Sequence, residues 1–557
     1  MGRNGRERVA EAGGVGRRWP RRPVPLLLAL TAGPAAIEAA VLSWTANPSA
    51  LGMAPQAAAA NPFGIFHDLR WVFVYHNSWL SFAVALLAAI VVRTLLTVAI
   101  VVVAWPPERP RPPVRRLAGT GLVVTAATVF ALAPWTAITV AAGATALSWF
   151  SVGTVLALFV LALVLQRGPM TGVWWRGLPP PWTVLWAAAT FAALTVGALV
   201  VGVGPDWAAV PLATAAGAVN APLWRALVAS AVLGRSRLPR LPTVPVVVVV
   251  LLLALAGSGL LARSGSRAAA RPPPALVQRD GDLAPKQALL YVGGYDSRYD
   301  GSTGQLPDPA GRTSLPVHRF SYAGLDRQGR PLPYSPADTH QPLTRSAQLL
   351  AGQVIEVRRR TGRSVALLAH SQGTLVVRAY LDDDPHPDVD AVALLSPLPQ
   401  PARVYYPPAG ARTGWGIATG WQLRIIFAVV ARIGGSDLGS DKPFARSLLD
   451  EAPRYRDRML HPVADVRMIA FLPLIDAITN PPGPDPRIPV VIVPERHAMD
   501  YGRARTQRLL IAFLDGHSPR RGGDGGYRAL RAAGAAWQAP SLAFSLNPVW
   551  QTRPAPP

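Results

Sequence analysis

Seven long apolar stretches in the first half of the chain constrain its fold more than any other feature. A membrane-spanning helix needs about 20 mostly apolar residues, and each stretch approaches that length. The sequence therefore predicts an all-α transmembrane bundle of about seven helices across residues 24–262. The sixth stretch is the weakest because it contains Asn220, Pro222 and Arg225, and a re-entrant or interfacial segment is its alternative interpretation. The predicted spans are 24–44, 79–104, 117–138, 144–165, 182–203, 208–232 and 244–262.

The composition favours a membrane protein and excludes several classes of function. Half of the residues are apolar and 15 % are charged, against roughly 25 % charged residues in soluble domains. A disordered chain needs low hydrophobicity and high charge, so this class is excluded. The chain contains no cysteine, which also excludes disulfides, cysteine-ligated zinc, iron–sulfur clusters and a cysteine nucleophile.

The net charge of +24 is distributed as in a membrane protein. Cytoplasmic loops are enriched in Arg and Lys. With the N-terminus inside, the inner segments contain 16 Arg, whereas the outer loops 45–78, 139–143 and 204–207 contain only Arg70. The sequence thus predicts a multi-pass protein of the cell membrane. Its basic N-terminus at residues 1–23 is cytoplasmic, its first span is an uncleaved anchor, and its C-terminal half is extracytoplasmic. RNA-binding aromatic motifs and zinc-finger spacings are absent from the sequence, which argues against nucleic acid as a partner.

Two charged residues fall within the predicted spans. Glu38 and Arg93 lie at similar depths, roughly 17–21 Å from the cytoplasmic side at 1.5 Å per residue. Charges inside a bilayer are costly and are usually paired. The pair is therefore interpreted either as part of a proton or substrate path or as a structural ion pair.

The second half of the chain has the pattern of a separate α/β domain. A polar, Pro-rich linker is predicted at residues 263–285, a domain at 286–515, and a Gly/Pro-rich tail without an assigned role at 516–557. Short apolar runs alternate with helical patterns, which predicts a mostly parallel sheet with helices on both faces. The predicted strands are 287–292, 316–322, 364–369, 390–396, 466–472 and 489–494. The predicted helices are 344–360, 372–381 and 503–514.

The third predicted strand runs directly into a candidate nucleophile. Ser371 stands in the sequence Ala369-His370-Ser371-Gln372-Gly373, between a buried strand and a helix. A sharp strand–turn–helix of this kind exposes a serine at the top of a sheet, and it needs small residues on both sides of the serine. Ala369 and Gly373 meet that need.

A serine hydroxyl needs a base, and the base needs an orienting acid. In this type of fold they follow the serine in the order acid, then histidine, each after a later strand. Asp476 follows VRMIAFLPLI and His497 follows IPVVIVPER. The predicted catalytic residues are therefore Ser371 as nucleophile, His497 as base and Asp476 as orienting acid.

An oxyanion hole is predicted from two backbone N–H groups. One belongs to Gln372, the residue after the nucleophile, and the other to the loop after an early strand. That loop is VGGYDS, and its paired glycines permit close approach of the backbone. We assign the N–H of Tyr295, with Gly294 as the alternative. A simple glycine turn is the structural interpretation of the same loop.

Residues 286–514 resemble the α/β-hydrolase superfamily, nearest in pattern to its lipase-like and inositol-deacylase-like members. The matching motifs are VGGYDS, RFSYAG, LLAHSQGTLVVRAYL, PLIDAIT and PERH. The resemblance implies the α/β-hydrolase fold and acyl-ester chemistry that requires no cofactor and no metal. Ala369 replaces the usual Gly, and Gly-Gly replaces His-Gly, so no subfamily is assigned.

An insert of unusual length interrupts this domain. Residues 400–462 separate two predicted strands, whereas connections in α/β units usually have about 2–6 residues. Trp415, Trp421 and Phe427 belong to an apolar helix in the insert, which is interpreted as a lid over the nucleophile or as packing on the sheet edge.

Together these features predict a membrane-anchored serine esterase or lipase that acts on lipid or other acyl esters outside the cytoplasm. One alternative is an acyltransferase with the same three residues. The other is a non-catalytic membrane transporter or scaffold with a hydrolase-like outer domain.

Overall fold

Long apolar helices make up the first half of the chain in the computed structural model. Five segments are long and apolar enough to cross a membrane, which supports a membrane protein by length and composition. These candidate spans are Val24–Trp44, Trp79–Ala104, Val114–Pro134, Pro181–Val203 and Asp206–Leu233. The helices of this region are α1 Pro23–Trp44, α2 Phe63–Val74, α3 Trp79–Ala104, α4 Val114–Thr145, α5 Pro181–Val203, α6 Ala209–Ala218 and α7 Asn220–Leu233.

The structure describes only part of the chain. The described residues are 23–45, 48–145, 170, 176–235, 238–246, 248–249, 276–277, 286–301, 314–315, 317–383, 388–399, 401–402, 404–434, 439–455, 458–473, 486–493, 504–517, 529, 533, 537–542 and 546–551. The predicted spans 144–165 and 244–262 fall almost wholly outside this set. The turn expected at 139–143 is helical, because α4 continues to Thr145. Residues 139–143 are small or β-branched, and the single glycine among them does not end a helix.

The loop expected at residues 45–78 is instead packed among the membrane helices. We call residues 48–74 the buried segment; it consists of a 3₁₀ helix, Pro48–Gln56, a short connection and α2. The backbone carbonyls of Pro55 and Ala58 accept hydrogen bonds from Asn220 Nδ2 (2.9 Å) and Trp224 Nε1 (2.8 Å). Irregular backbone inside a membrane protein is tolerated where such partners satisfy it. Asn220, the polar residue that weakened the prediction of the sixth span, therefore satisfies a backbone carbonyl of the buried segment.

A six-stranded parallel sheet forms the core of the second half, as predicted. Its spatial order is β4-β2-β5-β6-β7-β8, and all its neighbouring strands are parallel. The chain moves outward from β2 to β4 and then returns to β5, so the order of the strands reverses between β2 and β5. The strands are β2 Ala288–Val292, β4 Val317–Arg319, β5 Val365–His370, β6 Val389–Leu395, β7 Arg467–Pro473 and β8 Val490–Val493. A separate antiparallel pair joins β1 Leu276–Val277 to β3 Ser314–Leu315.

Helices cover both faces of this sheet. Alternate strand residues point to opposite faces, so Leu290 and Leu367 pack with α8 and α9, whereas Leu289 and Leu368 pack with α13. The helices of this half that belong to the sheet domain are α8 Leu343–Thr361, α9 Gln372–Asp383 and α13 Ala504–Leu514. Those of the insert are α10 Ile417–Gly434, α11 Pro443–Asp450 and α12 Ala452–Tyr455, and the tail contains α14 Pro548–Gln551.

The C-terminal tail contacts the membrane helices, although its sequence indicated no role. Trp537 is fully buried. Its ring stacks on Phe191 (centroids 4.5 Å apart) and meets Phe63 edge-on (5.9 Å). Its Nε1 donates to Thr195 Oγ1 (3.0 Å). An aromatic side chain buried in this way has a large apolar area and a satisfied N–H group, so it holds the tail against the bundle.

The insert is also docked on the membrane region, through the start of α10. His76 Nδ1 donates to the Val72 carbonyl (2.8 Å), and His76 Nε2 accepts from the Ala418 N–H (3.0 Å). Because the partners are a pure acceptor and a pure donor, the imidazole is the neutral Nδ1–H tautomer. Burial lowers the pKa of His76 to about 4, which is consistent with this form.

This contact predicts an acid-sensitive docking of the insert. A folded-state pKa below the usual 6.5 means that the stabilisation is complete above pH 6.5 and declines as the pH falls towards 4, by about 1 kcal/mol per pH unit. We expect wild-type protein to exceed His76→Gln in thermal stability at pH 7, and the difference to shrink on acidification. A difference in melting temperature that is constant from pH 7 to pH 4 would contradict this assignment.

Candidate active site

Ser371 occupies a strained turn at the end of a central strand. Its φ of +52° lies in the left-handed region, which non-glycine residues adopt rarely and mostly where the surroundings enforce it. The Ser371 N–H donates to the Leu395 carbonyl (3.0 Å), and the Ser371 carbonyl accepts from the Thr374 N–H (3.0 Å) and hydroxyl (2.6 Å). The turn is thus fixed by the neighbouring strand on one side and by the first turn of α9 on the other.

A second serine has the same backbone conformation but a different environment. Ser396 follows β6 with a φ of +48°, and its N–H donates to the Phe471 carbonyl (3.0 Å). Ser396 is fully buried, whereas Ser371 is partly exposed. Only Ser371 of these two is therefore accessible to a substrate.

Two glycines bring the turn into contact with the loop that follows β2. A Cβ on Gly373 would overlap the Val292 carbonyl oxygen and lie 2.9 Å from that of Gly293. A Cβ on Gly294 would lie 3.0 Å from the Ser371 Cβ. The small residue predicted at position 373 is thus required by a close approach of backbones. The loop that carries the candidate oxyanion donors is next to Ser371.

This close approach predicts a large effect of one methyl group. Gly373→Ala forces α9 away from β2, at a cost of about 1–3 kcal/mol as for other overpacked sites. Gly352→Ala on α8 is the matched control, because its Cβ would meet no atom within 4 Å. That change should be neutral or stabilising, by up to about 1 kcal/mol. Melting temperatures of the two variants test the contact, and equal values would contradict it.

A short 3₁₀ helix, Pro336–His340, joins the two predicted parts of the oxyanion hole. Thr339 Oγ1 accepts from the Asp296 N–H (3.1 Å), and the Thr339 carbonyl accepts from Gln372 Nε2 (2.7 Å). The Gln372 side chain is almost fully buried. One residue therefore ties the loop after β2 to the first residue of α9, which fixes the Tyr295 and Gln372 backbones relative to each other.

Two buried tyrosines form hydrogen bonds with the loop after β2. Tyr322 donates to the Gly293 carbonyl (2.7 Å), and Ser297 Oγ lies 3.0 Å from the Tyr334 hydroxyl. Burial raises the pKa of Tyr322 well above its ordinary value, with a contribution from Tyr334. The Tyr322 hydroxyl therefore remains a hydrogen-bond donor to the loop.

The structure contains a histidine–carboxylate pair beside the candidate oxyanion loop, and the sequence did not predict it. His340 Nε2 lies 2.7 Å from Asp296 Oδ1, and the imidazole stacks on the Tyr295 ring (centroids 4.6 Å apart). Asp296 has a left-handed φ of +57°. The two residues are 44 positions apart in the sequence, and no motif connects them. The only sequence signal was the position of Asp296 in the VGGYDS loop.

The other two predicted catalytic residues, Asp476 and His497, lie outside the described residues. The strands that precede them are described. β7 ends at Pro473, three residues before Asp476, and β8 ends at Val493, four residues before His497. Because the strands are parallel, both segments begin at the sheet edge that carries Ser371. At about 4.8 Å per strand, β7 and β8 lie roughly 10 and 14 Å from β5.

The insert meets both the site and the membrane helices. Phe444 of α11 packs on the Tyr295 ring (5.5 Å), so the insert reaches the candidate oxyanion loop through α11. Helix α10, in which the sequence placed a lid, has its main contacts with α2, α3 and α4. Phe427 packs into the core, whereas Trp421 is 40 % exposed.

Comparisons with known proteins do not assign the chain. No protein family, no curated protein and no solved structure matches it. Within the described part of the chain, no three His, Asp or Glu side chains are grouped as metal ligands. The site therefore has to be interpreted from its own geometry.

Proposed function

We propose that the chain is a membrane-anchored serine hydrolase that cleaves acyl esters. The observation that carries the proposal is the position of Ser371. It occupies a left-handed turn after β5, against the glycine loop after β2, where the strand order reverses. Ligands of open α/β sheets bind at such reversal points, beyond the carboxyl ends of the strands. The strand order and the position of the serine are consistent with an α/β-hydrolase fold.

The proposed mechanism follows from the roles of five groups. Ser371 Oγ attacks the acyl carbonyl while His497 accepts its proton, and Asp476 orients the imidazole. The N–H groups of Gln372 and Tyr295, or of Gly294, stabilise the oxyanion of the tetrahedral intermediate. Collapse of this intermediate, with the proton passing from His497 to the leaving oxygen, releases the alcohol and leaves an acyl-enzyme. Water, deprotonated by His497, then hydrolyses the acyl-enzyme and the proton returns to Ser371. An acyltransferase would use the same groups with an alcohol in place of water.

The proposed location is the extracytoplasmic side of the cell membrane. The support is the distribution of Arg, with 16 in the predicted inner segments. The only Arg of the predicted outer loops, Arg70, is fully buried in the described structure. A buried Arg is not a topology signal, so its position does not weaken the count.

An activity-based probe tests the nucleophile directly. A fluorophosphonate reacts only with an activated serine, so we expect labelling of the wild-type chain and none of Ser371→Ala. Ser396→Ala is the matched control, because Ser396 has a similar φ but is fully buried, and it should leave labelling unchanged. Labelling that persists in Ser371→Ala would refute the hydrolase. No labelling of folded wild-type protein would favour the transporter or scaffold.

The exposed face of α10 supports a lipid or long-acyl substrate. Trp421, Ile425 and Val429 are 40, 61 and 41 % exposed, although they belong to a helix packed on membrane helices. Because the same insert touches Tyr295 through Phe444, acyl chains would pass from the bilayer to the site along the insert. Pockets of this kind are mainly apolar.

Chain-length selectivity tests this substrate class. We expect kcat/KM for C12 over C4 p-nitrophenyl esters to fall by about tenfold in Trp421→Asp/Ile425→Asp, which corresponds to about 1.4 kcal/mol. Ile355→Asp on α8 is the control, because Ile355 is as exposed as Ile425, at 61 %, but belongs to a helix of the sheet domain rather than to the insert. If the C12/C4 ratio stays at the wild-type value in the double variant, the insert does not bind acyl chains.

A further inference from the structure

A network of four charged side chains, two buried and two partly exposed, lies within the membrane region. His67 Nε2 lies 2.9 Å from Glu38 Oε1, and His67 Nδ1 lies 2.9 Å from Asp68 Oδ1. Arg93 binds Asp68 through Nε (2.7 Å) and Nη2 (2.5 Å). His67 and Arg93 are each 4 % exposed. The two charges that the sequence placed in the spans, Glu38 and Arg93, are thus joined through α2.

The geometry favours the charged form of His67, although the Trp71 Nε1–H also lies 3.4 Å from His67 Nε2. A carboxylate only accepts hydrogen bonds, and a neutral imidazole has only one N–H. Two carboxylates, one on each ring nitrogen, are both satisfied only by the imidazolium. Asp68 already has two hydrogen bonds from Arg93, whereas Glu38 has the Trp71 Nε1–H (3.1 Å) besides His67. The proton on His67 is therefore the counter-charge of Glu38.

The surrounding charges come from three helices. In the described part of the chain they are Glu38 from α1, Asp68 and Arg70 from α2, and Arg93 from α3. The 3₁₀ helix packed on α2 contains no charged residue. The other charged residues on elements packed against α2 are Arg115 and Arg116 in the first turn of α4 and Arg424 and Arg432 on α10. Arg424 is paired with Asp441.

A small cavity with a mainly apolar lining and a few polar groups borders α3, the helix that carries Arg93. It has a volume of about 40 Å³ and lies between α3, α4 and α7, and its lining includes Asn61, Thr94 and Thr97. Asn61 Oδ1 and Thr97 Oγ1 are buried without a hydrogen-bond partner among the described residues. A water needs roughly 10–15 Å³ and polar partners, so the cavity has room for about three. Thr94 directly follows Arg93 in α3, so the cavity borders the turn of α3 that carries Arg93.

The helix that carries His67 also holds the C-terminal half of the protein. The Phe73 carbonyl accepts from Thr419 Oγ1 (2.6 Å) at the start of α10. Arg70 donates to the Gln538 carbonyl (2.8 Å), and Tyr75, directly after α2, donates to the Ser541 carbonyl (2.8 Å). A movement of α2 within the bundle would therefore move the insert and the tail.

We propose that His67 is a proton-binding site of the membrane region, and that its occupancy sets the position of the insert through α2. At neutral pH His67 holds the proton between Glu38 and Asp68. When the proton leaves to water in the cavity, Glu38 loses its counter-charge and the contact between α1 and α2 weakens. The insert helix α10 then shifts relative to α3. This inference does not depend on the chemistry at Ser371.

Two measurements on the full chain in lipid nanodiscs test the proposal. Nitrogen-15 spectra of labelled histidine report protonation, with His67 assigned by its absence in His67→Gln. We expect the imidazolium form at pH 7, and Glu38→Gln should lower the titration midpoint by about one to three pH units. Because the chain has no cysteine, spin labels on Leu95→Cys and Ile425→Cys, both 61 % exposed, report the distance between α3 and α10.

The expected distance change has a matched control. The α3–α10 distance should shift as His67 titrates, and His67→Gln should show the shifted distance already at pH 7. His318→Gln in the outer sheet should leave the distance unchanged. A neutral His67 at pH 7 overturns the proton site. A charged His67 with a distance that is constant across its titration overturns the coupling and leaves a purely structural ion network.

Discussion

Charges can be buried among apolar helices only if each is paired or hydrogen-bonded, since removing one partner of a buried pair costs about 3–5 kcal/mol. Helix α2 presents three charged side chains to the bundle, and the structure satisfies them from different parts of the chain. His67 is held by Glu38 of α1, and Asp68 is held by Arg93 of α3. Arg70 donates to the backbone of the tail at Gln538. These contacts draw α1, α3 and the C-terminus around one short helix, which therefore organises the membrane region.

The same helix determines where the sheet domain lies. The insert is fixed at its start by His76 and by the Phe73 carbonyl, and the tail is fixed by Trp537. These contacts involve backbone groups and a fully buried indole. Such contacts define a position more strictly than exposed salt bridges, which contribute little. The candidate site, which meets the insert at Phe444, is thus held at a defined distance from the membrane helices.

Local signals made much of the fold predictable. The six strands and three helices of the sheet domain appear within a few residues of their predicted positions, because hydrophobic periodicity is a property of neighbouring residues. The turn at Ser371 was predictable for the same reason, since small residues on both sides of a serine after a buried strand form a local pattern. Gly373 then proved necessary through its approach to Val292.

The parts that escaped prediction depend on partners far apart in the sequence. The buried segment resembles a loop because it contains Pro, Asn and charged residues, and its burial depends on Asn220 and Trp224, more than 160 positions away. The pairing of His340 with Asp296 and the contact of Trp537 with Phe191 also join residues that are far apart in the sequence. No periodicity or short motif encodes such contacts, and without an aligned relative nothing else in the sequence reveals them.

An anchor for an outer enzyme needs one span, yet this membrane region has at least five candidate spans and a buried ionic network. Ionisable groups inside a membrane protein are costly and mark function more often than structure. The distance along α2 from His67 to Phe73 is about 9 Å at 1.5 Å per residue. Over that length a helix is rigid, so a displacement at the network reaches the insert almost undiminished. If Ser371 is catalytic and His67 binds a proton, the two sites communicate through α2, and the membrane region is then a regulator of the sheet domain rather than its tether.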